Sequence, residues 1–290
     1  MTLLADVFAQ ALNGLQYGML LFLLSVGLTL IFGMLGIINL AHGAFFTLGA
    51  YAGLAAVAGT RSFWLALLLA PVAVAAVGAL VERTCLRPLY ARGAPAQVLL
   101  TFGLIYLFDD LVKWVWGAHV RSMPPPAAFA ESVAIGALRF PSYRLFVIGF
   151  GLALAVALWL VIERTRLGAV IRAGVYDAEM AAGLGVNVDR VFTAVFAFGA
   201  ALAAVAGVVA VPIQAAYPGM GVEILVRTLI VVVIGGLGSL KGSLAGSLIL
   251  GEAETFGKAW LPDTSMFVIY GVMALVLLVR PRGLFGRALR

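Results

Sequence analysis

ERTRLGAVIRAGVYDAEMAAGLGVNVDR, residues 163–190, decides how the chain is read, because it is the longest clearly water-facing segment in an otherwise almost wholly apolar sequence. It carries Arg164, Arg166, Arg172 and Arg190. Within it, AVIRAGVYDAEMAAGLG predicts a short amphipathic helix with apolar positions at Val170, Ile171, Val175 and Met180 and an acidic middle at Asp177 and Glu179. Gly183 and Gly185 favour a C-terminal stop, since glycine accepts the left-handed backbone that ends many helices. A short amphipathic helix outside the bilayer, on a chain whose remaining mass lies in lipid, presents a surface to another protein.

On either side of this segment the composition leaves one class open. With 63% hydrophobic and 11% charged residues among 290, the chain lies far from soluble domains, where roughly half the residues are apolar and about a quarter charged. Crossing the hydrocarbon core takes about 20 apolar residues. Apolar windows fall near 10–32, 36–57, 63–82, 96–117, 144–162, 191–213, 224–240, 243–261 and 264–280. The expected fold is therefore all-α: one polytopic helical membrane domain over residues 1–290, with about 8–10 spans including short or re-entrant helices. The start of the sequence lacks a basic n-region and a small-residue cleavage site, so the first window is expected to stay in the mature protein.

The formal charge of +6 does not point to nucleic acid, because the basic residues flank apolar windows, as the positive-inside bias predicts. Arg83, Arg87 and Arg92 share one connection, Arg164, Arg166, Arg172 and Arg190 another, and Arg280, Arg282, Arg287 and Arg290 follow the last window. Placing these in the cytoplasm puts the N-terminus outside and the C-terminus inside. Arg61, Arg121, Arg139 and Arg144 remain in outer connections. The outer loop 118–143 holds Pro124, Pro125, Pro126 and Pro141, too many for a helix, and is expected to run as a stiff extended surface loop.

Two windows read as irregular. Asn39 and His42 interrupt the second, with Gly43 beside them; three residues apart, they are expected on one helix face, either locking helices together or lining a translocation path. Around Gly235 to Gly251, leading into the eighth, Gly238, Gly242 and Gly246 recur every four residues, a spacing that lets helices approach closely in lipid, and Gly199, Ala203 and Gly207 repeat it. Glu252, Glu254 and Lys258 make that window poor against lipid and predict a short or re-entrant helix shielded by protein. Asp109, Asp110 and Lys113 predict a local ion pair at the interface or, in a gradient-driven transporter, an ion site.

Familiar catalytic patterns do not occur. GGLGSLKGS, Gly235 to Ser243, fails as a phosphate loop because Leu240 stands where glycine must precede Lys241 and no Ser or Thr follows it directly. Neither a Gly-x-Ser-x-Gly elbow nor a His-Glu-x-x-His helix is present, so no catalytic residues are assigned. Cys85 stands alone, and His42 and His119 have no supporting cluster, so no metal site is expected.

Four blocks carry a resemblance: GLTLIFGMLGIINLAHGAFFTLGAY (Gly27 to Tyr51), VERTCLRPLYARG (Val81 to Gly93), RTRLGAVIRAGVYDAEMAAGLGVNVDRV (Arg164 to Val191) and VVIGGLGSLKGSLAGSLILG (Val232 to Gly251). In order and spread over most of the chain, they resemble the permease subunits of branched-chain amino-acid ABC importers of the LivH type. The resemblance implies a bacterial inner-membrane importer in which this chain pairs with a sister permease, two cytoplasmic ATPases and a periplasmic substrate-binding protein. It implies no cofactor in this chain, with ATP and Mg held by the ATPases. Its solutes would be leucine, isoleucine and valine or, as in cousins, urea, short amides or small organic acids. Segment 163–190 then looks like the ATPase-docking element, with Arg172, Ala173, Asp177, Glu179, Ala181 and Gly185 as coupling residues. Two rivals stand beside it: a gradient-driven secondary transporter using Asp109 and Asp110, and a passive urea or amide channel built on the glycine packing.

Overall fold

A computed structural model describes residues 3–136, 138–176 and 178–286. Among them every apolar window becomes a helix: α1 (Leu3–Leu35), α2 (His42–Thr60), α3 (Phe63–Val81), α4 (Ala94–Trp116), α5 (Ser142–Arg164), α8 (Val188–Ala210), α9 (Met220–Gly235), α10 (Leu240–Trp260) and α11 (Ser265–Val279). Segment 163–190 is helical too, over α6 (Arg166–Tyr176) and α7 (Ala178–Gly183), which flank Asp177 outside the described residues. Six helices are long and apolar enough to cross a membrane, namely α1, α2, α3 with its continuation to Arg92, α5, α8, and α11 with the turn before it. The acidic and basic residues of α4 and α10 keep these two out of that set, and α9, at 16 residues, reaches only about 24 Å.

The helices sort into a buried centre and a lipid-facing shell. α1, α2 and α8 form the centre, with Leu21, Phe22, Leu23, Phe45, Tyr51, Phe196 and Ala203 fully enclosed. Glycines set how closely these helices approach. A Cβ on Gly49 would strike Ala204, one on Gly207 would strike the Phe46 carbonyl, and Gly199 lies against Ile31 and Gly27 of α1. α10 lies along α1 through Gly251 against Gly14 and Gly18, and Ser25 shares a hydrogen bond of 2.7 Å with Ser243. In lipid this closeness takes the place of a hydrophobic driving force, since tails are as apolar as the helices themselves. The shell exposes Leu99, Phe102 and Leu107 of α4, Leu160 of α5, and Phe267, Leu275 and Leu278 of α11.

Four expectations change. α10 is not short: its 21 residues form a continuous helix of about 32 Å, and it is shielded as expected, by α1, α9 and α11, so that Glu254 is buried. Gly238 does not share a helix face with Gly242 and Gly246. It lies in the turn before α10 at φ +75°, against Gly33, whereas Gly242 and Gly246 lie in α10 against Gly235 and Val231 of α9. The short element is α9, and its N-terminus meets that of α2 inside the protein, Gly43 lying against Gly221 with Thr47 Oγ1 alongside. The proline-rich loop is not merely extended: after a 3₁₀ turn at Ala127–Phe129 it forms an antiparallel hairpin, β1 (Ser132–Ile135) with β2 (Leu138–Pro141). The loop caps the bundle through Leu138 and Phe140, both buried, and through Phe129 stacked on Phe146 at 4.8 Å.

Candidate translocation path and coupling elements

Asn39 and His42 are fully buried but do not share a helix face, because α2 begins at His42 and Asn39 lies in the turn before it. Gly36, at φ +66°, lets the chain reverse after α1 and feed this turn back into the bundle. His42 Nε2 bonds the Leu24 carbonyl of α1 at 2.9 Å; a carbonyl only accepts, so Nε2 carries the proton. Nδ1 and both amide atoms of Asn39 are left without partners. Gly27, one turn from Leu24, makes room for the ring, since a Cβ there would stand 3.0 Å from His42 Cε1. Asn39, His42 and Gly43 therefore sit together at the joint of α1, α2 and α9. The neighbouring gap, lined by Leu40, Ala44, Thr47, Phe108, Asp109 and Gly221, measures about 10 Å³, room for about one water.

A larger opening lies on the other side of α9, and residue-by-residue reading of the sequence missed it. A cavity of about 120 Å³ is lined by Tyr17, Phe46, Gln214, Ala215, Tyr217, Met220, Glu223, Ile224, Arg227, Glu254 and Lys258. Glu254 Oε1 accepts from Arg227 Nε at 3.2 Å and Lys258 Nζ at 2.6 Å, while Oε2 is buried with no hydrogen bond of normal length and angle. Arg227 Nη1 also donates to Glu223 Oε1 at 3.0 Å, and Tyr217 donates to Glu223 Oε2 at 2.6 Å. Two i,i+4 pairs, Glu223 with Arg227 and Glu254 with Lys258, were the available signal; what joins them is the α9–α10 crossing at Gly235, Gly242 and Gly246.

A second carboxylate was also missed. Glu82, wholly buried, opens the π-helical turn that continues α3. Arg87 donates to both its oxygens, at 3.3 and 3.1 Å, Tyr90 to Oε1 at 2.9 Å, and Thr193 of α8 to Oε2 at 2.7 Å. Arg87 also donates to the Asp189 carbonyl at 3.1 Å, so this clamp touches the end of segment 163–190.

In that segment Arg172 donates to the Ile162 carbonyl and lies 3.8 Å from Glu163, which folds α6 back on the end of α5. Its packed face is glycine: Gly168 against Ile162 and Gly174 against Met34. Ala181 is buried; Ala173 and Gly185 are exposed, as are Leu167 and Leu184, at 70% and 81%. α7 closes with Val186 N–H donating to Ala181 O at 3.1 Å and Gly185 N–H to Ala182 O at 2.9 Å, with Gly185 at φ +86°. This is the Schellman arrangement, for which glycine is suited. Asp177 lies outside the described residues, as does the side chain of Glu179. Among the described residues Lys113 forms the expected local ion pair with Asp109 at 2.6 Å and also reaches Asp110 at 3.2 Å, in partly exposed positions, and no group of His, Cys, Asp and Glu could hold a metal.

Residues 10–277 match the family described as branched-chain amino acid transport system / permease component. The chain is 33% identical over 294 residues to the high-affinity branched-chain amino acid transport system permease protein BraD of Pseudomonas aeruginosa, covering 96% of this chain and 95% of that one. It is 31% identical over 296 residues to LivH of Escherichia coli, a permease protein of the same described system, with the same coverages. Over 185 residues, 60% of this chain and 49% of the other, it is 28% identical to the fructose import permease protein FrcC of Rhizobium meliloti. Among solved structures, a chain of PsaBC from Streptococcus pneumoniae in complex with Fab is similar at TM-score 0.49 and 13% identity, covering 92% of this chain and 89% of that one. A polytopic helical bundle matched along nearly its whole length in this way belongs to the family of branched-chain amino acid transport permeases.

Proposed function

We propose that this chain is one half of the membrane path of an ATP-driven importer for leucine, isoleucine, valine or closely related small solutes. The observation that carries the reading is the match at 33% identity over 96% of the chain to a high-affinity branched-chain amino acid permease. The companions follow from the same reading: a sister permease, two cytoplasmic ATPases that hold ATP and Mg, and a periplasmic substrate-binding protein. The chain itself carries out no hydrolysis.

The arrangement supports a route for force. The ends of α3, α5 and α11 and the start of α8 gather Arg83, Arg87, Arg164, Arg190 and Arg280 at one end of the bundle. Placed in the cytoplasm by the positive-inside bias, this end leaves the N-terminus outside in a bacterial plasma membrane. Exposed Leu167, Arg172, Ala173, Leu184 and Gly185 then face the ATPases, buried Ala181 supports the elbow from behind, and Asp177 and Glu179 complete the proposed coupling set. A push on this elbow reaches α8 directly and α3 through Arg87 and Glu82, as a rigid-body movement.

The test is reconstitution with the three other kinds of subunit in proteoliposomes. Concentrative leucine uptake should require ATP and all subunits, and should persist with a protonophore. Concentrative uptake by this chain alone, or its collapse with a protonophore at constant ATP, would overturn the reading. Gly185→Trp and Asp177→Arg should each abolish ATP-coupled uptake or release the ATPases; normal uptake in both variants would remove the docking role from the elbow.

A further inference from the structure

The cavity between α1, α2, α9 and α10 is built unlike a packing defect. Its floor is apolar, formed by Phe46, Met220 and Ile224, all buried. Its wall carries two acids and two bases, Glu223, Glu254, Arg227 and Lys258, which sum to no net charge. One acceptor is not fully engaged: Glu254 is 3% exposed, and its Oε2 makes no hydrogen bond of normal length and angle, although the Tyr17 phenol in the same wall interacts with the carboxylate. Leaving a buried acceptor unmade costs about 1–3 kcal/mol, more when it is charged. On the donor side, Arg227 commits Nε and Nη1 to protein carboxylates and makes no hydrogen bond through Nη2 among the described residues. Lys258 Nζ keeps donors beyond its bond to Glu254 and lies 5.8 Å from the centre of the Tyr17 ring.

We infer that this cavity is a transit subsite for a free α-amino acid with an aliphatic side chain: the ammonium is received by Glu254 Oε2, the carboxylate by Arg227 and Lys258, and the side chain by Phe46, Met220 and Ile224. The inference rests on the importer reading above and assigns its solute a place in the path. Charge balance selects the ligand class. A neutral site presenting both signs favours a zwitterion over a simple anion or cation, each of which would leave one pole of the site uncompensated in a low dielectric. The apolar floor favours aliphatic over polar side chains. At about 120 Å³ the space far exceeds the ~10–15 Å³ that one water needs.

The test is equilibrium binding of radiolabelled L-leucine to the full-length chain in nanodiscs, with no binding protein present. Saturable binding is expected, with L-valine competing. 4-Methylpentanoate, which lacks the ammonium, and 3-methylbutylamine, which lacks the carboxylate, should each compete about tenfold more weakly or worse, the loss of one charge-assisted interaction. Glu254→Gln should weaken leucine binding by a similar factor while the chain still unfolds cooperatively at a temperature above that of the binding assay. Absence of saturable leucine binding, equal competition by either truncated analogue, or unchanged affinity in Glu254→Gln overturns the subsite. The analogue arm uses the parent chain and stands even if the variant fails to fold. ATP-driven leucine uptake by the assembled importer, measured in parallel, separates the outcomes: uptake without binding here removes the subsite alone, and absence of uptake removes the importer reading.

Discussion

Glu82 and Glu254 are both carboxylates buried in a membrane protein and both paired with cations, yet the two regions around them differ in one respect. Every oxygen of Glu82 is occupied, by Arg87, Tyr90 and Thr193, and no cavity among those described touches it. Glu254 shares its Oε1 between Arg227 and Lys258, leaves Oε2 without a hydrogen bond of normal length and angle, and faces open space. A buried charge with all its hydrogen bonds made holds elements in place, whereas one with an acceptor not fully engaged beside a cavity is arranged to accept something that comes and goes. Arginine supplies the fork in both places. What separates a clamp from a binding site here is the remaining count of unmade bonds.

The largest expected effect is at the clamp. Glu82→Ala leaves Arg87, Tyr90 and Thr193 without their common acceptor and should destabilise the chain by about 3–5 kcal/mol, the usual cost of breaking a buried pair from one side. Unfolding in detergent followed by intrinsic fluorescence should show the loss, with Glu82→Gln intermediate because its amide oxygen still accepts. A Glu82→Ala protein that unfolds like the parent would erase the distinction between the two carboxylates.

Next in size is Gly185→Ala. Nothing lies within 4 Å of a Cβ built at Gly185, so space is no obstacle; the backbone at φ +86° is. A non-glycine residue held there costs roughly 1–2 kcal/mol. Because Leu184 and Gly185 at the end of α7 are exposed, that cost should loosen the elbow locally. Hydrogen exchange should rise in 178–186 while the amides of α3 and α8 around the Glu82 clamp keep their protection. Exchange rising equally in both places would mean that elbow and clamp are one unit.

The difference between the two carboxylates also shows what the sequence could reveal. The nine apolar windows were readable because a bilayer imposes a minimum apolar length, a local property of the chain. Ion pairing of Lys113 with Asp109 was readable because both lie on one helix, four residues apart. Glu82 and Thr193 are 111 positions apart, and Glu254 and Arg227 are 27 apart on different helices, so nothing local announces either meeting. Asn39 and His42 failed in the opposite sense: close spacing suggested a shared face, but Gly36 reverses the chain and α2 starts only at His42. Glycine spacing carried the same ambiguity at Gly238, which serves a turn, beside Gly242 and Gly246, which serve a crossing.

Glu254→Gln should cost about 1–2 kcal/mol, less than Glu82→Ala, since its amide oxygen still accepts from Arg227 and Lys258 while the two cations lose a buried counter-charge. The same fluorescence-monitored unfolding should therefore move clearly less than for Glu82→Ala. Equal destabilisation by the two variants would recast Glu254 as a second clamp.

The smallest effect is expected at a third ion pair that resembles the others on paper. Lys113 reaches Asp109 at 2.6 Å, shorter than any contact at Glu82, and Asp110 at 3.2 Å, yet its side chain is 45% exposed and that of Asp110 is 77% exposed. Water and salt screen such pairs, and their typical worth is about 0–1 kcal/mol. Asp109→Asn combined with Asp110→Asn should shift unfolding by no more than a few tenths of a kcal/mol and leave ATP-driven uptake intact. The double variant also tests the gradient-driven rival at the residues that reading needs. Loss of uptake with the fold retained would favour the gradient-driven reading at α4 over the proposed coupling through the 163–190 elbow, and Oε2 of Glu254 would then belong to an ion-coupled cycle.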